Sequence, residues 1–335
     1  MRSRPDILVL GSGGVLGEAW LSGVLAGIED AAGLELSRCE YFTGTSAGSI
    51  VAARLAAGIA LERPASDSDE RVDPSSEARH ASWDWSALPA SVAGRLAGGA
   101  LALSSPFVPP ALALTAPAGS LARALALRAA PRAGGSLGEL RRRVDETGAR
   151  FDGRLRVVAL ARATGRRVVF GRPHAPRATV GQAVEASCSV PWLFAPVVID
   201  HVEYVDGGFW SPTNLDAAPA ARGSLVLCLS PTAGVARSDR LALQPLGVLS
   251  RSVTAVEAAA LRHRGAEVEL VAPDDDCAAA IGRDLMDRTR RATVLAAAYR
   301  QGRALGGQAN GTSVRSRRRG PQATTPSTGT GVTGR

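Results

Sequence analysis

Residues 44–48, with the sequence Gly-Thr-Ser-Ala-Gly, form the segment best suited to covalent chemistry. They lie between a short apolar run, 41–43, and an Ala-rich run typical of a helix. Between a strand and a helix, G-x-S-x-G forms a nucleophile elbow, which lifts the serine hydroxyl above the edge of a sheet. The positive end of the following helix favours an alkoxide. The pattern therefore predicts that Ser46 is a nucleophile and that Gly44 and Gly48 leave room for neighbouring backbone.

A glycine-rich loop precedes the elbow at residues 11–17, with the sequence Gly-Ser-Gly-Gly-Val-Leu-Gly. Glycines permit positive φ and allow backbone N–H groups to face outward at a helix N-terminus, where negative charge is attracted. Three interpretations are open for this motif alone: binding of a dinucleotide pyrophosphate, stabilisation of an oxyanion, and a structural turn.

Asp206, followed by Gly207 and Gly208, ends an apolar run that is typical of a strand. An aspartate in this position can project its carboxylate into a cleft. Asp-Gly is also a common turn dipeptide, and a simple turn is the more frequent meaning of the motif on its own.

Histidine offers little support for a Ser-His-Asp triad. The histidines are His80, His174, His201 and His263, and only His263 follows the plausible acids in the chain. It lies between Arg262 and Arg264, in a charged segment typical of a solvated helix end. The elbow also follows only one earlier strand, whereas in an α/β-hydrolase the nucleophile follows several.

In order and spacing, the three loops resemble those of the patatin-like phospholipase family, which has a glycine-rich oxyanion loop, a G-x-S-x-G elbow and a downstream D-G-G or D-G-A motif. The resemblance covers about residues 6 to 230 and includes the run 186–196 that leads towards Asp206. It implies a Ser46–Asp206 catalytic dyad, in which the carboxylate takes the serine proton directly. It also implies an oxyanion hole built from the N–H groups of Gly13 and Gly14. The supporting glycines would be Gly11, Gly17, Gly44, Gly48, Gly207 and Gly208.

The family resemblance implies a carboxylic ester hydrolase (EC 3.1.1.-) that acts on a lipid or another acyl ester without a cofactor or metal. The chain departs from the family loop G-G-G-x-R-G at two positions, where Ser12 replaces the first glycine and Leu16 replaces the arginine. Backbone donors survive these changes because an N–H group needs no side chain. What the departure changes is the role that the arginine side chain has in the family loop.

The elements that must position these loops alternate between strands and helices, as in an α/β sheet. The runs typical of strands are 6–10, 41–43, 155–161, 167–170, 197–205 with a turn about residues 200–201, 225–229 and 268–271. The runs typical of helices are 18–31, 50–57, 180–187, 253–262 and 277–300. With the family resemblance, they predict a three-layer α/β/α core with a mostly parallel sheet across residues 6–300.

Two segments differ in amino-acid composition from this core. Residues 62–150 begin as a polar linker and continue as an Ala/Leu-rich helical insertion or lid. Its aromatic residues Trp83, Trp85 and Phe107 would either cover an acyl chain, dock on a membrane, or pack the insertion onto the sheet. Residues 301–335 are predicted to be a disordered basic tail.

The charge of the chain is concentrated in that tail. The net charge is +8, and the residues after position 302 contain six arginines and no acid, which leaves +2 for the rest. We therefore expect no specific nucleic-acid partner. The chain has no lysine, which excludes Schiff-base chemistry and a P-loop.

The remaining features of the sequence predict a cytoplasmic protein, and they are compatible with peripheral contact with a membrane. The four cysteines are far apart and predict neither a metal site nor a disulfide framework. The N-terminus has no signal-peptide pattern. The longest uncharged stretch, between Arg95 and Arg123, is interrupted by prolines and is a poor membrane span.

Two rival functions stay open. A dinucleotide-binding oxidoreductase would need an acidic residue after the second strand, where this chain has Gly44 and Thr45. The other rival is a lipid-binding protein without catalytic activity, and it stays open because Leu16 replaces the family arginine in the glycine-rich loop. The substrate, the choice between hydrolysis and acyl transfer, and the oligomeric state are not predicted.

Overall fold

A computed structural model describes residues 3–65, 116–130, 135–237, 244–282 and 284–317. These residues contain one mixed sheet. Its strands are β1 (Ile7–Leu10), β2 (Tyr41–Thr45), β3 (Leu155–Ala161), β4 (Arg166–Phe170), β5 (Val197–Ile199), β6 (Val202–Asp206), β7 (Leu225–Leu229) and β8 (Glu267–Val271).

The centre of the sheet is parallel. β3, β2, β1, β7 and β8 lie side by side in that order and run in the same direction. β4 and β6 pair antiparallel with β3, and β5 forms a hairpin with β6. All four residues of β1 are buried, as expected for a strand covered on both faces. The mostly parallel α/β sheet is therefore confirmed.

Helices cover both faces of the sheet. They are α1 (Gly14–Ala32), α2 (Ala47–Ala56), α3 (Ala116–Ala129), α4 (Gly138–Glu146), α5 (Val180–Cys188), α6 (Gln244–His263), α7 (Asp275–Ile281) and α8 (Arg291–Arg317). On one face, Leu8 and Phe42 pack in a core with residues of α1, α2, α5 and α8. On the other, Val9 packs with Leu261 of α6 and with Leu215, which begins a short 3-10 turn. This arrangement confirms the three layers.

The C-terminal part of the fold differs from the sequence prediction. The predicted helix 277–300 is interrupted after α7, where Gly282 has a φ of +69°, and a new helix begins at Arg291. α8 then continues to Arg317, so the predicted start of a disordered tail at residue 301 is wrong. Residues 318–335 lie outside the described part of the chain.

Close packing against α1 explains why α8 continues. A Cβ atom on Gly27 would lie 2.2 Å from the Tyr299 carbonyl oxygen, and one on Gly302 would lie 2.1 Å from the Val24 carbonyl oxygen. Trp20 Nε1 also donates a hydrogen bond of 2.9 Å to Gln301 Oε1. α1 and α8 therefore approach each other through glycines, and one of these, Gly302, lies where the composition predicts a tail.

The insertion also ends earlier than predicted. In α4, Leu140 and Val144 are buried in the main core, so this helix is part of a core layer and the boundary of any lid lies before it. The predicted aromatic residues of the insertion, Trp83, Trp85 and Phe107, lie outside the described residues. Within the described part, no helix is both long and apolar enough to cross a membrane.

Candidate active site

Ser46 occupies a strained turn between β2 and α2. Its φ is 52° and its ψ is −125°, a combination that costs a non-glycine residue about 1–3 kcal/mol. Ser49 stabilises the turn, because its backbone N–H and its hydroxyl both donate to the Ser46 carbonyl oxygen, at 2.8 and 2.6 Å. The local geometry is that of a nucleophile elbow.

The glycines on either side of Ser46 are required by close backbone contacts. A Cβ atom on Gly44 would lie 2.4 Å from Ser49 Cα. One on Gly48 would lie 2.0 Å from the Leu10 carbonyl oxygen and 2.8 Å from the Gly11 carbonyl oxygen. The second contact joins the elbow directly to the end of β1, where the glycine-rich loop begins.

β3 brings the end of the elbow strand next to the end of β6. Thr45, the last residue of β2, pairs with Val158 of β3, and Asp206, the last residue of β6, pairs with Ala159. β4 pairs with Val157–Ala161, so β2 and β6 must share the opposite edge of β3. Two strands that are far apart in sequence therefore end at adjacent positions along one strand.

Ser187 closes the small gap between these two strand ends. Its hydroxyl donates to the Val158 carbonyl oxygen at 2.6 Å and accepts from the Ser46 backbone N–H at 2.8 Å. The Gly207 backbone lies against the same carbonyl, since a Cβ atom there would be 2.4 Å from it. In the sequence, Ser187 carries no pattern of its own beyond the family-like run 186–196.

Asp206 is a buried carboxyl group, 3% exposed. Burial raises its pKa to about 7 against the opposing effect of hydrogen bonds from the Gly208 backbone N–H and the Ser46 side chain. The Gly208 N–H lies 2.7 Å from Asp206 Oδ1. The carboxylate is therefore a much stronger base than an ordinary aspartate, whose pKa is about 4.

The glycine-rich loop is fixed by hydrogen bonds of its backbone at residues 12 and 16, and the three N–H groups between these have no acceptor among the described residues. Ser12 N–H donates to the Pro212 carbonyl oxygen at 2.8 Å, and Leu16 N–H to the Leu285 carbonyl oxygen at 2.9 Å. The N–H groups of Gly13 and Gly14 have no acceptor among the described residues. They begin α1, where the helix dipole adds positive potential.

The predicted glycines of this loop sit at close approaches. A Cβ atom on Gly13 would lie 2.7 Å from Pro231 Cβ, and one on Gly17 would lie 3.2 Å from the same atom. A Cβ atom on Gly11 would lie 3.0 Å from the Pro212 carbonyl oxygen. A Cβ atom on Gly208 would lie 2.7 Å from Ser12 Oγ, so the loop that carries Asp206 contacts the glycine-rich loop.

Asn214, for which the sequence carries no motif, links the end of the elbow strand to the loop that carries Asp206. Its Nδ2 donates to Thr45 Oγ1 at 3.2 Å, to the Gly207 carbonyl oxygen at 3.2 Å and to the Ser211 carbonyl oxygen at 2.7 Å. The same segment supplies the Pro212 carbonyl that holds the glycine-rich loop. Its left-handed φ of 50° suits an asparagine.

A buried acid anchors the segment that contains Asn214. Glu257 Oε2 of α6 accepts from Thr213 Oγ1 at 3.0 Å and from the Leu215 N–H at 2.9 Å. Burial, and then the charge of nearby Asp216, raises the pKa of Glu257. The Asp216 carboxylate is itself held in a bidentate pair by Arg167.

The described histidines lie away from this arrangement. His174, His201 and His263 are exposed, in a loop, at the β5–β6 turn and at the end of α6. His80 lies outside the described residues. The carboxyl group beside Ser46 is therefore the candidate base that the geometry supplies.

Comparison with known proteins gives one informative match. The family model for patatin-like phospholipase matches residues 8–219, a range that contains all three loops. The curated proteins contain no match to the chain. Among solved structures, the crystal structure of VipD from Legionella pneumophila is similar with a TM-score of 0.41 and 16% sequence identity, over 91% of this chain and 67% of that one.

Proposed function

The chain belongs to the patatin-like phospholipase family, and from that membership we propose that it hydrolyses carboxylic esters of lipids, with Ser46 as the nucleophile and Asp206 as the base. Family membership supports lipid acyl hydrolysis in general terms. The two named residues, the oxyanion donors and the order of steps are our assignment.

The observation that carries the proposal is the meeting of β2 and β6 on one edge of β3. It sets a hydroxyl on a strained elbow beside a carboxyl group whose pKa is about 7. A general base works best when its pKa lies near the operating pH. Asp206 therefore needs no histidine between it and Ser46.

The reaction would proceed through an acyl-enzyme. Ser46 Oγ attacks the ester carbonyl carbon while Asp206 takes the hydroxyl proton, and the N–H groups of Gly13 and Gly14 stabilise the oxyanion. Collapse of the tetrahedral intermediate breaks the ester C–O bond, and Asp206 returns the proton to the leaving alcohol. Water then attacks the acyl-enzyme, Asp206 takes its proton, and the proton returns to Ser46 Oγ as the fatty acid leaves. One oxyanion donor typically contributes about 3 kcal/mol to such a step.

The loss of the family arginine at Leu16 is compatible with activity. The Leu16 side chain is fully buried, so it orders the loop by packing in the core. The backbone bonds from Ser12 to Pro212 and from Leu16 to Leu285 hold both ends of the loop. We propose that these contacts replace the positioning that an arginine would provide.

Covalent labelling by a fluorophosphonate probe tests the proposal. The wild-type chain should be labelled on Ser46, Ser46→Ala should lose the label, and Ser252→Ala, at an exposed serine on α6, should keep it. Label that persists in Ser46→Ala would reject the assignment of the nucleophile. A wild-type chain that binds lipid vesicles but neither reacts nor hydrolyses esters would favour the inactive lipid-binding alternative.

A further inference from the structure

A concave site separate from the Ser46–Asp206 arrangement lies at the β4 edge of the sheet. It is a groove of about 840 Å³ between β4, the loop after it and Trp210. The polar residues along it are Arg166, Arg167, Arg172 and His174. A volume of this order is typical of sites that hold a small molecule or a head group.

The groove carries more positive than negative charge. None of the described residues that line it is acidic. Arg167 is neutralised by Asp216 through the bidentate pair described above. Arg166 and Arg172 have no carboxylate partner among the described residues, and the Arg172 guanidinium donates instead to the Ala217 carbonyl oxygen at 3.2 Å.

A second arginine donates to the same Ala217 carbonyl oxygen as Arg172. Arg156, on β3, donates from Nη1 to the Ala217 oxygen at 3.0 Å, and its buried Nε has no hydrogen-bond partner among the described residues. Burial and the charge of Arg172 lower the pKa of Arg156. Two guanidinium groups therefore share one neutral acceptor, with Arg172 exposed and Arg156 half-buried behind it. An anion at this place would be attracted to both charges.

Carboxylate partners hold two of the buried arginines elsewhere in the described part of the chain. Arg162 pairs with Glu203 at 2.9 Å, and Arg291 pairs with Glu18 at 3.0 Å. No such partner occurs for Arg156 or Arg172 among the described residues.

Positive charge continues along the Trp210 wall of the groove. The Arg123 guanidinium lies 4.1 Å from the centre of a Trp210 ring, and that of Arg167 lies 5.2 Å from it. Burial and the charge of Arg167 lower the pKa of Arg123. Trp210 follows Asp206 by four residues, so this wall continues directly from the loop that carries the candidate base.

We infer that this groove binds a phosphate group through Arg166 and Arg172, with Arg156 behind them. Guanidinium groups that approach from several elements suit a tetrahedral anion, whose oxygens accept hydrogen bonds in several directions. If the proposed lipid hydrolysis is correct, the phosphate is that of a phospholipid head group, held beside the ester-cleaving site. A soluble phosphate ester is the other source with the same chemistry.

Binding to the full-length Ser46→Ala chain tests the site without turnover. The probes are glycerol 3-phosphate in solution, and vesicles of the phosphate-free lipid digalactosyldiacylglycerol containing equal amounts of either phosphatidate or oleate. Arg172→Gln and Arg166→Gln are compared with Arg264→Gln, which removes the same charge from an exposed residue before β8, at the opposite edge of the sheet. Each groove variant should weaken phosphate binding about tenfold or more, as loss of a charge-assisted hydrogen bond does, and Arg264→Gln should leave it unchanged.

The probes separate the two sources of phosphate. Binding to phosphatidate vesicles alone supports a membrane head group, and matching binding of glycerol 3-phosphate supports a soluble ester. Equal binding to oleate vesicles, an equal effect of Arg264→Gln, or no phosphate binding by either probe would overturn the inference. None of these binding results depends on Ser46 as a nucleophile. If Ser46 is not labelled by the fluorophosphonate probe, the binding measurements still test the phosphate site.

Discussion

At the scale of single residues, the proposed chemistry depends on the burial of Asp206. Burial raises the pKa of this carboxyl group to about 7, whereas an unfolded aspartate has a pKa of about 4. The raised pKa favours the protonated form in the fold. The stability that Asp206 contributes is therefore fully present below a pH of about 4 and is lost as the pH rises through 7. The same burial that makes a useful base also makes its ionised form costly.

This pKa sets the expected pH dependence of the reaction. Asp206 accepts a proton only when ionised, so kcat/KM for a soluble ester should rise through a pH of about 7 and level off above it. The measurement is a pH profile of ester hydrolysis by wild-type protein under conditions in which the chain stays folded. A profile that is flat from pH 5 to 9, or one that rises near an ordinary aspartate pKa of about 4, would not fit a buried carboxylate base.

At the scale of elements, the site depends on how β3 arranges its neighbours. The apolar runs 155–161 and 225–229 predict β3 and β7 with the bounds that they have. The sharing of one β3 edge by β2 and β6 could not be predicted, because the pairing of strands distant in sequence is a tertiary property that local hydrophobic patterns do not specify. The same limit applies to Ser187 and Asn214, whose roles come from partners distant in sequence.

Motifs with strict backbone demands were easier to predict. Glycines at 44 and 48 are needed wherever a serine elbow crosses another strand end, so their spacing is enough to indicate the turn. The break between α7 and α8 has a weaker pattern, because the single Gly282 is one of many glycines in the chain. The tail boundary was wrong because composition cannot show that glycines such as Gly302 pack against another helix.

The segment between β6 and β7 gives a prediction at this scale. Replacing Glu257 by Ala removes the acceptor that holds Thr213 and the Leu215 N–H, so the segment that carries Asn214 should loosen. We expect kcat to fall about tenfold, with a smaller change in KM, since the contacts affected hold the reacting loops. Glu257→Gln keeps an oxygen acceptor and should retain most of the activity.

Steady-state kinetics of the two Glu257 variants are the measurement. Similar kcat values for Glu257→Ala and wild type would mean that the segment keeps its place without this anchor. A large loss in Glu257→Gln alone would instead indicate that the charge of Glu257 matters more than its hydrogen bonds.

At the scale of the whole molecule, the packing of α8 on α1 holds the last helix against the core. Gln301 and Gly302 lie within that contact, beyond the predicted end of the core. A chain that ends after residue 300 should lose these contacts and unfold at a temperature several degrees lower, because each kcal/mol lost shifts Tm by about 2–4 °C in a protein of this size. A chain that ends after residue 317 should unfold like the full-length protein.

Thermal unfolding monitored by circular dichroism compares the two truncated chains. The matched control is the longer truncation, which removes residues 318–335 but keeps all of α8. Equal Tm values for the two chains would show that residues 301–317 add nothing to the stability of the core.

The most direct test of the Ser46–Asp206 assignment is the rate of ester hydrolysis by Asp206→Asn. The matched control is Asp152→Asn, at an exposed carboxylate on the surface. Loss of the base should lower kcat/KM by about 100-fold or more while the control keeps the wild-type rate and both variants stay folded. A nearly normal rate for Asp206→Asn would contradict the dyad, whatever the geometry around Ser46.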